Sequence, residues 1–201
     1  MRAWNFVGKE LSDGRPIPPD GKWLAHNGNL VMNERGYHAS RYLIDALQYA
    51  SGSTICHVEV SGVITGTLSE IGGKLVAEKG RILWRVDGEA VLRAFARWCA
   101  LQVIGKWHAP DVVIEWLTTG NEKIRPTAQA AANSVPWHIA DDATRSAYKS
   151  TKDSLSWWVA WEAADFAARY LSWYAQERQI VQMVQEAHAG KTKWIFEFKK
   201  E

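Results

Sequence analysis

The spacing of apolar residues changes near residue 88, and this change constrains the fold more than any other feature. Before it, apolar and polar residues alternate over short stretches such as 54–60, which is typical of half-buried strands. After it, apolar residues recur with the period of a helix, at Val91, Leu92, Phe95, Ala96, Cys99 and Val103. We therefore predict an α+β fold, in which a small, mostly antiparallel sheet with two helices is followed by a Trp-rich helical back half packed against it.

The predicted strands of the front half are short and are separated by glycine-containing turns. They cover residues 3–7, 36–39, 54–60, 63–67, 74–77 and 81–86. Residues 12–21 contain three prolines and are predicted to form an extended loop. Ser40 is predicted to cap a helix whose apolar positions are Leu43, Ile44 and Leu47.

The back half is predicted to be helical throughout. Helices are expected at 111–117 and 126–133, followed by a long element at 141–187 that serine and threonine residues interrupt near 150–156. The tail alternates Trp194, Phe196 and Phe198, which favours a final strand or sheet edge. Because no linker-like segment separates the halves, we predict an α+β domain at 1–107 and a helical region at 108–201 that packs with it.

Composition excludes several classes of protein. The net charge is +2, from 24 basic and 22 acidic residues, so bulk charge does not support nucleic-acid binding. Two cysteines without a C-x-x-C motif argue against a disulfide framework and against a metal site. The N-terminus lacks an apolar signal core, and no run approaches about 18 apolar residues. These features predict a protein without a membrane segment, located in the cytosol of the cell that makes it.

Residues 34–62 are predicted to form a turn, a short strand, a helix, a turn and a strand, and they supply the candidate ligand site. Gly36 suits a positive φ or a close backbone approach, and Tyr37 follows it. The polar side chains at the strand-to-helix corner come from His38, Ser40, Arg41 and Tyr49. Backbone N–H groups at the start of a helix favour an anion such as phosphate. The alternative is that Ser40 is only a helix cap and that His38 is structural.

Tryptophan is the second unusual feature, with 12 residues in the chain. We expect most of them to lie in the core. Trp157, Trp158 and Trp161 also suit a partner-binding surface, because tryptophan is common at such sites. Adjacent Trp157 and Trp158 are about 100° apart around a helix, so at least one of them is a candidate for exposure.

The front half also resembles a known family. It is similar to a domain of unknown function found in proteins encoded by bacteriophages and prophages, and the similar stretches are MRAWNF, GYHASRYLIDALQYASG, ICHVEVSG, KLVAEKGRIL and FARWCALQV. Several such proteins also have Ala- and Trp-rich helical back halves, like WWVAWEAADFAARYLSWYAQERQ here. The resemblance implies a phage or prophage origin, and it implies no reaction.

A weaker resemblance is to ADP-ribosyltransferase-like folds. Its pieces are Gly36, Tyr37 and Ser40, then Ala46, Tyr49 and Ala50, then the strand at 55–60. It implies that NAD binds with its nicotinamide amide at the Gly36 backbone and its ring near Tyr49. The first strand, AWNF, lacks the family's usual ribose-binding residues, and a matching glutamate is not evident, with Glu59 and Glu78 only nearby candidates.

These observations give two hypotheses of different classes. The first is a phage-type accessory protein without a cofactor that acts in the host cytosol by binding a host or phage protein, with self-assembly as a variant. The second is a nucleotide- or NAD-binding protein, or an enzyme, of ADP-ribosyltransferase-like fold that uses the corner from Gly36 to Tyr49. The sequence contains no Walker loop, G-x-G-x-x-G, H-E-x-x-H or G-x-S-x-G motif.

Overall fold

The computed structural model describes residues 1–11, 15–67, 73–136 and 140–198. These residues form five antiparallel strands and seven α-helices, with 42% helix and 22% strand, which confirms the α+β class. The chain divides into two compact units, Met1–Gly88 and Glu89–Glu201. The boundary between the units therefore precedes the helix at 89–103, whereas the domain boundary drawn from the sequence follows it at residue 107.

The first unit is built on one antiparallel sheet with one helix. Its elements are β1 (Arg2–Val7), β2 (Leu24–Ala25), β3 (Tyr37–Ala39), α1 (Leu43–Gln48), β4 (Thr54–Gly66) and β5 (Leu75–Asp87). The strand order is β1-β4-β5-β2, and β3 pairs with β5 beside β2. The predicted strands at 3–7 and 36–39 are confirmed as β1 and β3 to within a residue.

Two long strands replace the four short strands predicted between 54 and 86. The predicted pairs join as β4 and β5, each of 13 residues. Gly62, at φ 79°, lies within a register shift between Ser61 and Ile64, and Gly80 lies inside β5. A Cβ atom on Gly80 would be 2.3 Å from the ring of Tyr37. These glycines therefore allow a bulge and the close approach of a ring, and they do not end the strands.

A pair of backbone hydrogen bonds brings the two ends of the sheet together. Trp4 donates its N–H to the carbonyl of Ser40 at 2.8 Å, and Ser40 donates back to Trp4 at 2.9 Å. Because β1 pairs with β4, β4 with β5, and β5 with β3, this antiparallel bridge completes a ring of strands. Nine buried apolar residues pack together in this unit: Ala3, Val7, Ala39, Cys56, Val58, Val60, Leu75, Ala77 and Ile82.

Helix α1 begins later than the sequence analysis predicted. Its N-cap is Tyr42, which makes no side-chain capping bond, so the prediction that Ser40 caps this helix is wrong. Ser40 belongs to the bridge with Trp4 instead. The predicted apolar positions Leu43, Ile44 and Leu47 are buried. Ser40 therefore pairs with a distant strand, although its residue type favours capping a helix.

The second unit is helical. Its helices are α2 (Glu89–Val103), α3 (Asp111–Thr119), α4 (Arg125–Asn133), α5 (Asp142–Ser150), α6 (Ser156–Ala167) and α7 (Trp173–His188), with a short 3-10 turn at Ile104–Lys106. Helix α2 packs against α3, α5, α6 and α7. Its predicted apolar face is fully buried, which confirms the helical period found after residue 88.

The long element predicted at 141–187 is three helices. The predicted interruption near 150–156 separates α5 from α6, and a second break, missed by the sequence analysis, separates α6 from α7. Two of these three helices, α5 and α7, begin with a side-chain cap. Asp141 accepts from the N–H of Thr144 at 2.8 Å, and Ser172 accepts from the N–H of Ala175 at 3.3 Å.

The tail does not form the predicted strand over its described residues, 191–198. It makes one backbone hydrogen bond to the end of α3, from the N–H of Phe196 to the carbonyl of Thr118 at 3.0 Å. Trp194 is buried and donates its indole N–H to Glu186 at 2.8 Å. Side-chain packing, this backbone bond and side-chain hydrogen bonds such as that of Trp194 therefore hold the described part of the tail in place of strand pairing.

The tryptophans are mostly half-buried, so the expectation that most lie in the core is wrong. Among the described residues, Trp4, Trp116 and Trp194 are buried and Trp23 and Trp158 are exposed, while the others are intermediate. Both cysteines are buried and free, Cys56 in β4 and Cys99 in α2. In the described part of the chain, no helix has the length and apolar character needed to cross a membrane.

Candidate functional site

The first unit contains a pocket of about 150 Å³ at the place where β1 and β3 separate. Continuing the register of the Trp4–Ser40 bridge would put Phe6 opposite His38, but the bridge is isolated. The N–H of Phe6 instead donates to the side chain of Asn5 at 2.7 Å. The pocket fills the resulting gap and is lined by residues 4–7, 10, 11, 15, 24–26, 33, 36–40, 46, 49, 51 and 74.

The structure brings five of the six predicted ligand-site residues to this one pocket. Gly36, Tyr37, His38, Ser40 and Tyr49 all line it. The sixth, Arg41, is not among the lining residues; it is exposed, with its guanidinium 5.6 Å from the ring of Tyr42. The strand-to-helix corner predicted at residues 36–49 therefore lines a concave site in the structure. Ser40 lies at this site because it pairs with Trp4, and not because it begins a helix.

Gly36 has the positive φ that the sequence analysis expected, at 120°. A Cβ atom at this position would be 2.4 Å from Cγ2 of Val76 and 2.9 Å from Cδ2 of Leu30. Both the backbone conformation and the packing therefore require glycine at this edge of the pocket.

His38 is bound to the turn that precedes β3. Its Nε2 accepts the N–H of Asn33 at 2.9 Å. Burial lowers the pKa of His38, the nearby Lys74 lowers it further, and hydrogen bonds to the backbone of Val31 and Gly36 oppose the shift. The imidazole is therefore held neutral, and it fixes the position of Asn33 in the pocket wall.

Tyr37 supplies a hydroxyl group beside the apolar core of the first unit. Its ring packs over Gly80, and its hydroxyl is hydrogen-bonded to the side chain of Asn5. Burial and the neighbouring Cys56 thiol raise the pKa of Tyr37, so the hydroxyl stays protonated. Burial likewise raises the pKa of Cys56 to about 12, which keeps that thiol unreactive.

Lys74 is the main pocket residue that sequence reasoning missed. Its ammonium donates to Oδ1 of Asn33 at 2.7 Å and lies 4.4 Å from the centre of the Tyr49 ring. Burial lowers the pKa of Lys74. The preceding Gly73 N–H donates to the buried carboxylate of Asp45 at 3.2 Å, which ties this segment to α1. The available sequence signal is the stretch GGKL, which resembles a phosphate-binding loop only superficially.

Three charged side chains line the pocket, two of them cationic: Glu10, Arg15 and Lys74. The two carboxylates suggested by the ADP-ribosyltransferase resemblance lie elsewhere. Glu59 is ion-paired with Arg81 at 2.6 Å, and Glu78 accepts the N–H of Val63 at 3.2 Å. The pocket is therefore a mildly cationic, aromatic-lined site. Among the described residues, no group of three or more His, Cys, Asp and Glu side chains could hold a metal ion.

The three predicted partner-binding tryptophans differ in exposure. All belong to α6, where Trp158 has 46% of its surface exposed while Trp157 and Trp161 are half-buried. The rings of Trp157 and Trp158 meet edge to face, with centres 5.8 Å apart. Leu155, at the start of the same helix, is 64% exposed. The expectation that at least one of the adjacent pair reaches the surface is confirmed.

Comparison with known proteins identifies the front of the chain. Residues 1–94 match the model of a domain of unknown function (DUF7666), which spans the whole first unit and the beginning of α2. No curated protein and no solved structure matches the chain. A domain of unknown function is therefore present over four of the five stretches that indicated one, and the fifth, FARWCALQV at 95–103, lies beyond the match. Phage origin and kinship with ADP-ribosyltransferases stay predictions.

Proposed function

We propose that the first unit binds a small ligand of nucleotide type in the pocket between β1 and β3. One observation carries this proposal: a single concave site combines aromatic rings, strand-edge backbone groups and a lysine ammonium. Pockets that combine apolar walls with a few polar groups are the usual sites of small-molecule binding.

The size of the pocket favours insertion of one ring. Its volume of about 150 Å³ is close to that of a cavity that accepts benzene. Two tyrosines line it: Tyr37, whose ring packs over Gly80, and Tyr49, whose side chain is exposed. A base or another flat heterocycle fits such walls, because aromatic faces stack with each other favourably.

The edges of the gap supply polar recognition. Successive residues of a strand direct their backbone groups to opposite neighbours. Because Trp4 and Ser40 pair across the seam, the backbone groups of His38 and the carbonyl of Phe6 also point toward the gap, whereas the N–H of Phe6 is bound to the side chain of Asn5. A ligand ring with an amide or amidine edge can hydrogen-bond to such groups, which adds orientation to the stacking.

Binding is a better-supported function than group transfer. A transferase acting on NAD needs a carboxylate near the ribose to stabilise developing positive charge. Glu59 and Glu78 are engaged outside the pocket, and Glu10 is the acidic residue among its lining. We therefore propose a nucleotide-binding module and include NAD among the ligands to be tested.

The test is a thermal-shift titration of the full chain with AMP, GMP, CMP, UMP, ADP-ribose and NAD. A ligand that binds the folded state raises the melting temperature as its concentration rises. At one hundred times its Kd, it adds about 2.7 kcal/mol to the free energy of unfolding. We expect at least one of these compounds to produce such a rise, and Tyr49→Leu to reduce it by removing the exposed ring at the pocket.

The matched control is Tyr174→Leu, which removes an exposed ring from the second unit. This variant should respond to ligand as the wild type does. The proposal is contradicted if no compound in the panel stabilises the wild type, or if Tyr49→Leu and Tyr174→Leu lose the response equally.

We also propose, as a second function, that α6 binds a protein partner, in keeping with a phage-type accessory role in the host cytosol. The supporting observation is the exposure of Trp158 and Leu155 at the start of α6. Exposed tryptophan is uncommon on surfaces that contact only water, and it often dominates binding energy where proteins meet.

Affinity capture from the cells that naturally contain the gene tests this second proposal. We expect one protein to be recovered with the wild type and with Tyr174→Ser, and its yield to fall at least about tenfold with Trp158→Ser, which is about the effect of a modest hot spot. Equal recovery with all three baits, or recovery of no specific protein, would count against partner binding through α6.

A further inference from the structure

We infer that the ligand of this pocket has a single anionic group next to its ring, and that Lys74 binds this group at the edge of the pocket. The inference rests on the proposed function and narrows it from nucleotide-type ligands to nucleoside monophosphates and compounds of the same charge pattern. The inference depends on the position and the contacts of Lys74, for which there are three observations.

First, the backbone at Lys74 is anchored. The N–H of the preceding Gly73 donates to the carboxylate of Asp45 at 3.2 Å, and Asp45 is buried in α1 with 3% of its surface exposed. Leu75, which follows, begins β5 and is fully buried. A side chain between two anchored neighbours enters the pocket from a fixed point, as a binding residue should.

Second, the ammonium group is held by neutral partners. Oδ1 of Asn33 accepts from it at 2.7 Å, and the ring of Tyr49 lies 4.4 Å away. The ion pairs formed among the described residues do not include Lys74. An ammonium has three N–H donors, of which Asn33 uses one. An arriving anion can therefore be bound without breaking an internal ion pair.

Third, the partner of Lys74 lies in a fixed turn. Asn33 has φ 67°, the left-handed conformation that asparagine adopts more readily than most non-glycine residues. Its N–H is fixed by His38, and its side-chain oxygen accepts from Lys74. The turn therefore holds the lysine at the pocket.

The size of the pocket determines where the anion lies. A volume of about 150 Å³ accommodates one ring, so the rest of the ligand stays at the edge where Tyr49 is 44% exposed. Lys74 and Tyr49 contact each other at that edge. We therefore expect a phosphate attached through a sugar to the inserted ring to lie beside Lys74, whereas a nucleoside without phosphate leaves the ammonium unpaired with any anion.

Isothermal titration of the full chain with the four ribonucleoside monophosphates and their nucleosides tests this inference. We expect one monophosphate to bind at least about tenfold more tightly than its nucleoside, since hydrogen bonds to charged groups are the stronger ones. Lys74→Gln should remove this difference between monophosphate and nucleoside, and Lys74→Arg should keep most of it. The difference should also shrink as salt is raised from 50 mM to 500 mM.

Lys79→Gln is the matched control, because Lys79 is also in β5 but is not among the residues that line the pocket. It should leave all affinities as in the wild type. Monophosphates and nucleosides binding equally, or Lys74→Gln leaving the difference intact, would overturn the inference while the proposed function stands. Binding of none of these compounds would overturn the inference, and the proposed function would be overturned as well only if ADP-ribose and NAD also failed to bind.

Discussion

Arg97 is a buried cation in the second unit, with 6% of its surface exposed. Its guanidinium donates to the carbonyls of Leu117 at 3.0 Å and Trp194 at 3.0 Å, and more weakly to Thr118 at 3.4 Å. Burial lowers the pKa of Arg97 to about 10, which still leaves it charged at neutral pH. Gly120 permits this approach, since a Cβ atom there would be 2.6 Å from the guanidinium carbon.

Replacing Arg97 with methionine should destabilise the second unit strongly. The substitution keeps much of the apolar stem but removes the guanidinium donor of the Leu117 and Trp194 carbonyls, while Thr118 keeps its bond from the N–H of Phe196. We expect a loss of about 3 kcal/mol in the free energy of unfolding, because each unsatisfied buried acceptor costs about 1–3 kcal/mol. Urea denaturation followed by tryptophan fluorescence measures this loss.

Arg93→Met in the same helix provides the comparison. Arg93 is 30% exposed in its side chain, where it pairs with Glu89 at 2.7 Å and donates to the carbonyl of Ser154 at 2.9 Å. Water can replace these partners, so the expected loss is about 1 kcal/mol or less. If both variants lost the same stability, the argument that burial makes Arg97 critical would be wrong.

At the scale of elements, the helix starts of the second unit differ in how they are capped. Ser172 accepts from the N–H of Ala175 at the start of α7, whereas Leu155 at the start of α6 makes no side-chain capping bond. The backbone of Leu155, at φ −55° and ψ 127°, already has the extended conformation of a cap. The two positions can therefore be compared to measure how much a side-chain cap contributes to the free energy of unfolding.

Substitutions at these two positions should have opposite effects. Ser172→Ala should lower the stability of the second unit by about 1 kcal/mol, and Leu155→Ser should raise it by a similar or smaller amount by adding the missing acceptor. Thermal unfolding followed by circular dichroism measures both. Loss of stability in both variants would mean that Leu155 is held by packing that outweighs a cap.

The elements also indicate how far sequence could predict this fold. The helical face of α2 and the start of α5 at Asp141 follow from local patterns, which the structure reproduces. Gly62 and Gly80 were predicted to lie in turns between short strands, but both lie inside long strands. Gly62 lies in a bulge, and Gly80 makes room for the ring of Tyr37. Those two roles depend on partners far along the chain, and local periodicity contains no information about them.

The candidate site was predictable to a similar extent. Gly36, Tyr37, His38, Ser40 and Tyr49 are close in sequence, so one local segment revealed them together. Lys74 joins them through its contacts with Tyr49 and with Asn33, which is 41 residues away. Ser40 lines the pocket because it pairs with Trp4, a bridge that overrides its preference for capping a helix. What the sequence missed is in each case long-range pairing.

At the scale of the whole molecule, each unit carries its own candidate surface. The pocket is built entirely from residues of Met1–Gly88, and the exposed tryptophan of α6 belongs to Glu89–Glu201. The domain of unknown function spans the first of these units. We therefore propose ligand binding for the part of the chain that contains this domain, and partner binding for the helical part.

The measurement that tests this account most directly is a two-dimensional amide NMR titration of the full chain with the ribonucleoside monophosphates. The account predicts that a binding compound shifts the amide signals of Gly36, His38, Tyr49 and Lys74 in a saturable way, while signals of the second unit change little. Saturable shifts confined to residues after Gly88, or no shifts with any of the four compounds, would contradict it.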